Sequence, residues 1–507
     1  MLGSSKNGLR GEKPEVQREL KGSNDWSDFF RISPFLRSDF FRKYSFLRSD
    51  FFRKMLSLQV IFNDFSKMIY IKRHIDKYLN EWKDSPVRKP LLLRGARQIG
   101  KSSSVREFGK QFDNFLEINF DEKENENAKA VFERHSSPQK ICDELSLIYN
   151  MPIVQGHTLL FLDEIQACIP AISALRYFYE KMPELHVIAA GSLLEFALEE
   201  VPSFGVGRIR SMFMHPLSFD EYLRAMGFSA LADRIKTSSP ENPLSDSVHK
   251  AALQHLVQFI LIGGMPQVVA TYAQTGKLYD CRQVLDDIMQ TYYDDFAKYK
   301  KRVPVSRLRA AFSSIIDQTG NKFVYSAVSQ ADNLEQIKQS VELLTLAGIA
   351  YPVIHSAAHG IPLAAQINPK FRKFLIFDTG IMQRFLNLDI SQILLGNTLE
   401  QINKGAIAEL FVGLELIKSA PANNPKQLYY WQREARGSQA EIDYVIQSGT
   451  DILPIEVKSG TKGTMQSLRI FMEEHKIQTG VRCSLENFGL LSGIRIYPLY
   501  AASQISS

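Results

Sequence analysis

From Met68 onward, short apolar runs alternate with stretches in which apolar residues recur every three or four positions. The runs are Pro90–Arg94, Phe115–Phe120, Thr158–Leu162, His186–Ala190 and Ile209–Met214. Between them lie the helical patterns of Lys72–Trp82, of the segment from Lys101, and of Ala171–Lys181. Strands buried on both faces read as continuous apolar runs, so this order predicts an α/β fold with a parallel sheet covered by helices over residues 68–216. Residues 217–396 read as mainly helical, with helical spacing in Leu253–Ile262 and Cys281–Phe296. There Gln336–Ala350 runs into Tyr351–Ile354 and Leu363–Ile367, the order of a winged-helix-like unit. Within Tyr292–Phe296 the acids are expected on a solvated helix face. Residues 397–507 return to α/β character. A helix, Lys404–Lys418, precedes strand candidates Gln427–Gln432, Ala440–Gln447 and Asp451–Lys458; a helix, Met465–His475, and a strand near Ile494–Leu499 follow.

Residues 1–67 follow none of these patterns. Phe35–Lys43 reads FLRSDFFRK, and Phe46–Lys54 repeats it letter for letter. Two copies among Gly, Ser and Asn cannot bury a core, so this segment is expected to be a tail, or to precede a start of translation at Met68.

Composition narrows the function classes. A chain of 507 residues suggests about three domains, and 45% hydrophobic with 23% charged residues is globular usage. The most apolar stretch, Leu256–Ala273, is broken by Gln258, Gly263, Gly264 and Pro266, so no membrane span is expected. The N-terminus lacks a secretory pattern, and Cys142, Cys168, Cys281 and Cys483 lie far apart, which fits a reducing cytoplasm. The net charge is +6, but residues 1–67 carry +5 of it. Any nucleic-acid site in the remainder must therefore be a local patch.

Gly95-Ala96-Arg97-Gln98-Ile99-Gly100-Lys101-Ser102 fits GxxxxGK[ST] between an expected strand and an expected helix. Gly95 and Gly100 let the backbone curl so that its N–H groups face a phosphate. Lys101 supplies a point charge to the β- and γ-phosphates of ATP, and the Ser102 hydroxyl is a Mg²⁺ ligand. The apolar run through Leu162 ends in Asp163 and Glu164; the first carboxylate belongs to the metal shell, and the second orients the attacking water. Ser192, ending the next strand, is placed beside the γ-phosphate. Arg208 reads either as an arginine finger reaching a neighbouring subunit, which implies a homo-oligomer, or as a surface arginine.

These motifs together resemble the AAA+ ATPases, most of all a bacterial and archaeal branch with Gly-x-Arg-Gln-x-Gly-Lys and Leu-Asp-Glu-Ile-Gln signatures, the latter at Leu162–Gln166. Gly207-Arg208, Pro216-Leu217-Ser218-Phe219-Asp220-Glu221, Gly263-Gly264-Met265-Pro266 and Phe377-Asp378-Thr379-Gly380 carry the resemblance into a C-terminal region of unknown function. It implies an ATPase without naming a process.

In the last region, Glu441-Ile442-Asp443-Tyr444 is followed by Pro454-Ile455-Glu456-Val457-Lys458. Glu456 and Lys458 share a face by the period of two, and Asp443 on a paired strand, with Glu409 on the preceding helix, completes a candidate Mg²⁺ cluster. The arrangement resembles the restriction-endonuclease-like fold with its D…(D/E)-x-K motif. Asp443, Glu456 and Lys458 then carry cleavage chemistry; a simple Glu456–Lys458 ion pair is the plain alternative. Two functions follow: an ATP-gated, Mg²⁺-dependent DNA-processing protein, or an ATPase switch whose last domain docks a protein or DNA.

Overall fold

In the computed structural model the described residues are 70–192, 207–300, 302–387, 405–433, 440–460 and 464–505. The repeat segment and the expected start at Met68 lie outside them. Helix α1, Ile75–Lys83, leads into strand β1, Leu91–Arg94, and then helix α2, Lys101–Gly109. Strand β2, Asn114–Asn119, is followed by α3, Glu126–Arg134, and α4, Pro138–Ile148. Strand β3, Thr158–Asp163, helix α5, Ile169–Lys181, and strands β4, His186–Gly191, and β5, Arg210–Phe213, complete the first layer. The five strands are parallel in the order β2–β3–β4–β1–β5. Leu159, Leu160, Phe161 and Leu162 of β3 are all fully buried, because helices cover both faces. Each such side chain contributes roughly 1.5–3 kcal/mol of burial.

The order has a functional result. Strand β4 lies between β1 and β3, so the loop after Arg94, the acids after Leu162 and the Gly191–Ser192 end meet at one edge of the sheet. Carboxyl ends of parallel strands are where ligands of open α/β sheets bind.

The middle is helical: α6, Phe219–Ala225; α7, Ser229–Lys236; α8, Asp246–Ile262; α9, Pro266–Thr275; α10, Leu278–Asp295; α11, Val305–Asp317; and α12, Leu334–Leu346. Ser218 starts α6 with a capping box, its hydroxyl accepting from Glu221 N while Glu221 accepts from Ser218 N. The hairpin then forms from β6, Ala350–Ser356, and β7, Ile367–Ile376. It is the edge of a larger sheet instead of a separate wing. Strand β6 also pairs in parallel with β8, Leu428–Gln432, through Val353↔Leu428 and Ile354↔Tyr429. A lone two-stranded hairpin cannot bury Val353, Phe374 and Leu375, and pairing with β8 lets it do so.

Helix α13, Thr379–Phe385, and helix α14, Ala406–Lys418, precede β8. Strands β9, Glu441–Ser448, and β10, Asp451–Val457, helix α15, Gln466–Glu474, and strands β11, Gly480–Ser484, β12, Gly489–Leu491, and β13, Ile494–Pro498, follow. The mixed eight-stranded sheet runs β12–β13–β11–β10–β9–β8–β6–β7, crossing position 396. Tyr444 and Ile455 pack with α14 on one face, and Ile442 and Val445 pack with Leu468 and Phe471 of α15 on the other.

One buried joint connects the start and end of the middle region with α14, and it draws on the motifs outside the phosphate loop. Leu217 N donates to Gly264 O at 2.7 Å, and Gly264 N donates to Asp378 Oδ2 at 2.7 Å. A Cβ on Gly264 would stand 2.3 Å from Leu217 O, so only glycine permits this approach. Phe219 N donates to Glu415 of α14, and Lys418 Nζ donates to Leu217 O at 2.9 Å. Among the described residues no helix is long and apolar enough to cross a membrane.

Candidate functional site

The phosphate loop begins where β1 ends. Gly100, at φ 94° and ψ 19°, is the left-handed cap of α2, a conformation that suits glycine and leaves the first helical N–H groups facing the loop. Lys101 Nζ lies inside the loop, donating to Gly95 O at 2.9 Å and Ala96 O at 2.7 Å. Burial lowers its pKa to about 8, with the charges of Glu164 and Asp163 opposing that fall. An ammonium held this close to its own carbonyls is poised to move onto phosphate oxygens.

The Ser102 hydroxyl donates to Asp163 Oδ2 at 2.6 Å, so the two oxygen groups expected around Mg²⁺ converge. Burial raises the Asp163 pKa, and the Ser102 hydrogen bond opposes the rise. These hard oxygen groups fit a Mg²⁺ ion. Glu164 adopts the left-handed conformation, φ 46° and ψ 44°, which turns the chain immediately after the strand. Its carboxylate accepts from Gln166 Nε2 at 2.5 Å and lies 3.7 Å from Arg97 Nη2. Ser192 Oγ accepts from Arg97 Nε at 3.2 Å. Gly95, Gly100, Lys101, Ser102, Asp163, Glu164 and Ser192 therefore belong to one sheet edge.

Arg208 does not. It precedes the start of β5, whose Arg210 lies opposite Leu91, so it sits at the other end of the sheet from the loop. Its side chain pairs with Glu180 at 2.5 Å. Within this chain it does not reach the loop.

The sequence left out Arg97 and Asp295. Asp295, the last residue of α10, is buried instead of solvated; its Oδ1 accepts from Arg97 Nη1 at 2.8 Å, and its Oδ2 lies 2.8 Å from Nε as an ion pair. Tyr292 Oη donates to Arg97 O at 2.7 Å. The middle region is thereby clasped onto the phosphate loop. Arg73, also buried, adds a second clasp by donating to Ile99 O at 2.8 Å while pairing with Glu221 at 3.0 Å.

In the C-terminal sheet, Glu409 and Asp443 are brought together with two residues that the sequence analysis missed. Lys373 of β7, 1% exposed, donates to Glu409 Oε1 at 2.9 Å and to Glu441 Oε1. A β-bulge turns Asp443: from Tyr429↔Val445 to Trp431↔Ile442, β8 advances two residues and β9 three. Asp443 Oδ2 accepts from Val457 N at 2.7 Å. Burial raises the Glu409 pKa to about 8 against the pull of Lys373, with Asp443 adding to the rise; burial likewise raises Asp443 to about 6. Lys373 stays charged, because the carboxylates of Glu409, Glu441 and Asp443 outweigh its own burial. Glu456 forms an ion pair with Lys458 at 2.7 Å, and its buried Oε2 has no hydrogen-bond partner among the described residues. Among the described residues no three His, Cys, Asp or Glu groups stand together as a metal-ion cluster. An ammonium occupies the space between Glu409 and Glu441.

Comparison with known families bears on the first site. Residues 87–223 match the AAA domain, a span holding both the phosphate loop and the acids after β3. Residues 253–392 and 404–502 match two different domains of unknown function. Among solved structures, the chain is similar to a Walker-type ATPase of Pyrococcus abyssi at 16% identity, covering 63% of this chain and 97% of that one, with a TM-score of 0.40. The Orc1 protein of Aeropyrum pernix in complex with DNA shares 13% identity over 64% of this chain and 96% of its own, with a TM-score of 0.29. No curated protein matches the sequence. The match over residues 87–223 supports a P-loop ATPase domain of AAA type there, whose class binds ATP.

Proposed function

We propose that this AAA-type ATPase is a nucleotide-driven switch. ATP binding and hydrolysis at the loop change how the helical middle and the C-terminal sheet pack, and that sheet docks a protein or DNA partner. The observation that carries the reading is the Arg97–Asp295 pair, which ties the phosphate loop to a helix outside the ATPase layer. Tyr292 of that helix packs on Phe377, next to Asp378 of the buried joint, which gives its motion a path to α14.

In this reading Lys101 neutralises the β- and γ-phosphates, Glu164 orients the attacking water, and Ser192 donates to the γ-phosphate. Ser102 and Asp163 would hold Mg²⁺, which supplies charge neutralisation across the phosphates. Arg208 serves a neighbouring copy, so hydrolysis requires a homo-oligomer. Lys373 favours docking over cleavage, because its ammonium already neutralises Glu409 and Glu441.

The second reading is Mg²⁺-dependent DNA processing by Asp443, Glu456 and Lys458 of a restriction-endonuclease-like domain. The free, buried Glu456 Oε2 beside Lys458 favours it. One experiment separates them: incubation of the protein with duplex and single-stranded DNA, with Mg²⁺ or Mn²⁺, with and without ATP. Intact DNA in every lane supports the switch; cleavage abolished by Asp443→Ala establishes the second reading.

A further inference from the structure

Arg97, the third residue of the phosphate loop, is surrounded by groups from four elements. Ser192 closes β4, and its Oγ is 3.2 Å from Nε. Glu164 and Asp121 follow β3 and β2, at 3.7 Å and 3.5 Å from Nη2. Asp295 ends α10 and takes both Nε and Nη1 at 2.8 Å. Lys298, 3.6 Å from Asp295 and 3.4 Å from Asp121, completes the charges facing this group. The guanidinium thus lies between Ser192 and Glu164, the side chains aimed at a γ-phosphate, yet its Nη1 is spent on Asp295 Oδ1 at 2.8 Å, with Oδ2 as close to Nε.

We infer that Arg97 is a γ-phosphate ligand supplied in cis, and that Asp295 competes with the γ-phosphate for it. This rests on the loop's binding ATP. A guanidinium pairs with a carboxylate or with a phosphate, and the Nη1 donor held by Asp295 Oδ1 cannot serve both at once. A γ-phosphate brings more negative charge than Asp295 and enters beside Ser192, so it wins the exchange. ADP brings nothing to that position, and the Arg97–Asp295 pair persists. Release of Asp295 loosens the end of α10, which the Tyr292 hydroxyl on Arg97 O and the weaker Gln98 Nε2 contact to Thr291 Oγ1 still tie to the loop. A small cleft beside the pair is lined by Tyr292, Phe296, Tyr299 and Ile349. The loop consequently distinguishes triphosphate from diphosphate through a residue of the middle region.

Calorimetric titration with Mg²⁺–ADP and with the Mg²⁺ complex of the non-hydrolysable β,γ-imido analogue of ATP tests this. Asp295→Asn keeps the shape but removes the competing charge. It should tighten binding of the triphosphate analogue about tenfold, a change of about 1.4 kcal/mol, and shift ADP by less than about twofold. Arg97→Met should weaken the analogue alone, and adding Asp295→Asn to it should change nothing further. Equal shifts for both nucleotides in Asp295→Asn, or an unaltered analogue-to-ADP ratio in Arg97→Met, overturns the inference. If Asp295→Asn fails to fold, the Arg97→Met ratio decides alone. Failure of the wild-type protein to bind either nucleotide would instead refute the ATP reading itself.

Discussion

Replacing Lys373 with Met keeps most of the side-chain stem and removes the charge. Glu409, 7% exposed, then loses the ammonium 2.9 Å from its Oε1, and Glu441 loses its own partner. Breaking a buried ion pair from one side costs about 3–5 kcal/mol, because the remaining charge is stranded. Here protonation relieves that cost, which makes it depend on pH. Glu409 titrates in the folded protein at about 8 against 4.5 for the free side chain, and Asp443 at about 6 against 3.8. Both pKa values are raised, so the folded state holds these protons more tightly than the unfolded chain does. The stability they contribute is full below the unfolded pKa values and is lost as pH rises through about 6 and then about 8. Without Lys373 the Glu409 value moves higher still. The variant should therefore lose about 3–5 kcal/mol near pH 8.5 and less than half of that near pH 5.5. Urea midpoints at the two pH values, followed by the fluorescence of Trp431 in β8, read this difference. Equal losses at both pH values, or a loss under about 1 kcal/mol at the higher one, refute the reasoning.

At the nucleotide site, Lys101→Ala should abolish ATP binding, whereas Glu164→Gln should keep it and slow turnover by at least about a hundredfold; equal hydrolysis rates in wild type and Glu164→Gln contradict the role of that carboxylate. Arg208→Ala should bind ATP normally yet lose most hydrolysis, and mixing it with Lys101→Ala should restore some; full activity as a monomer at high dilution rules out a finger in trans. Gly264→Ala forces a Cβ to 2.3 Å from Leu217 O, so thermal unfolding should show a loss of about 1–3 kcal/mol with ATP affinity reduced. An unchanged melting temperature would mean that the joint yields without cost.

The nucleotide loop was legible because its chemistry is local. Gly95 to Ser102 are consecutive, and Asp163 and Glu164 follow an unbroken apolar run, so spacing alone placed them. What escaped depends on contacts between distant segments. Arg97 and Asp295 are separated by 198 positions, and the acid that looked solvated at a helix end is buried by the loop that it grips. Lys373 and Glu409 meet only because β7 joins the sheet beneath α14, and Glu441 reaches the same lysine beside the Asp443 bulge, which no period of two anticipates. The hairpin β6–β7 read as a wing because its partner strand, β8, comes much later in the chain.

That late partner has a consequence for the protein during its synthesis. Strand β7 ends at Ile376 and β8 begins at Leu428, so about fifty residues must be translated between the hairpin and the strand that covers its inner edge. At about 5–20 residues per second, the nascent chain carries β6 with an open row of backbone N–H and C=O groups for several seconds. Slowing elongation between codons 377 and 427 should raise the fraction of aggregated product, because β6 then waits longer for β8.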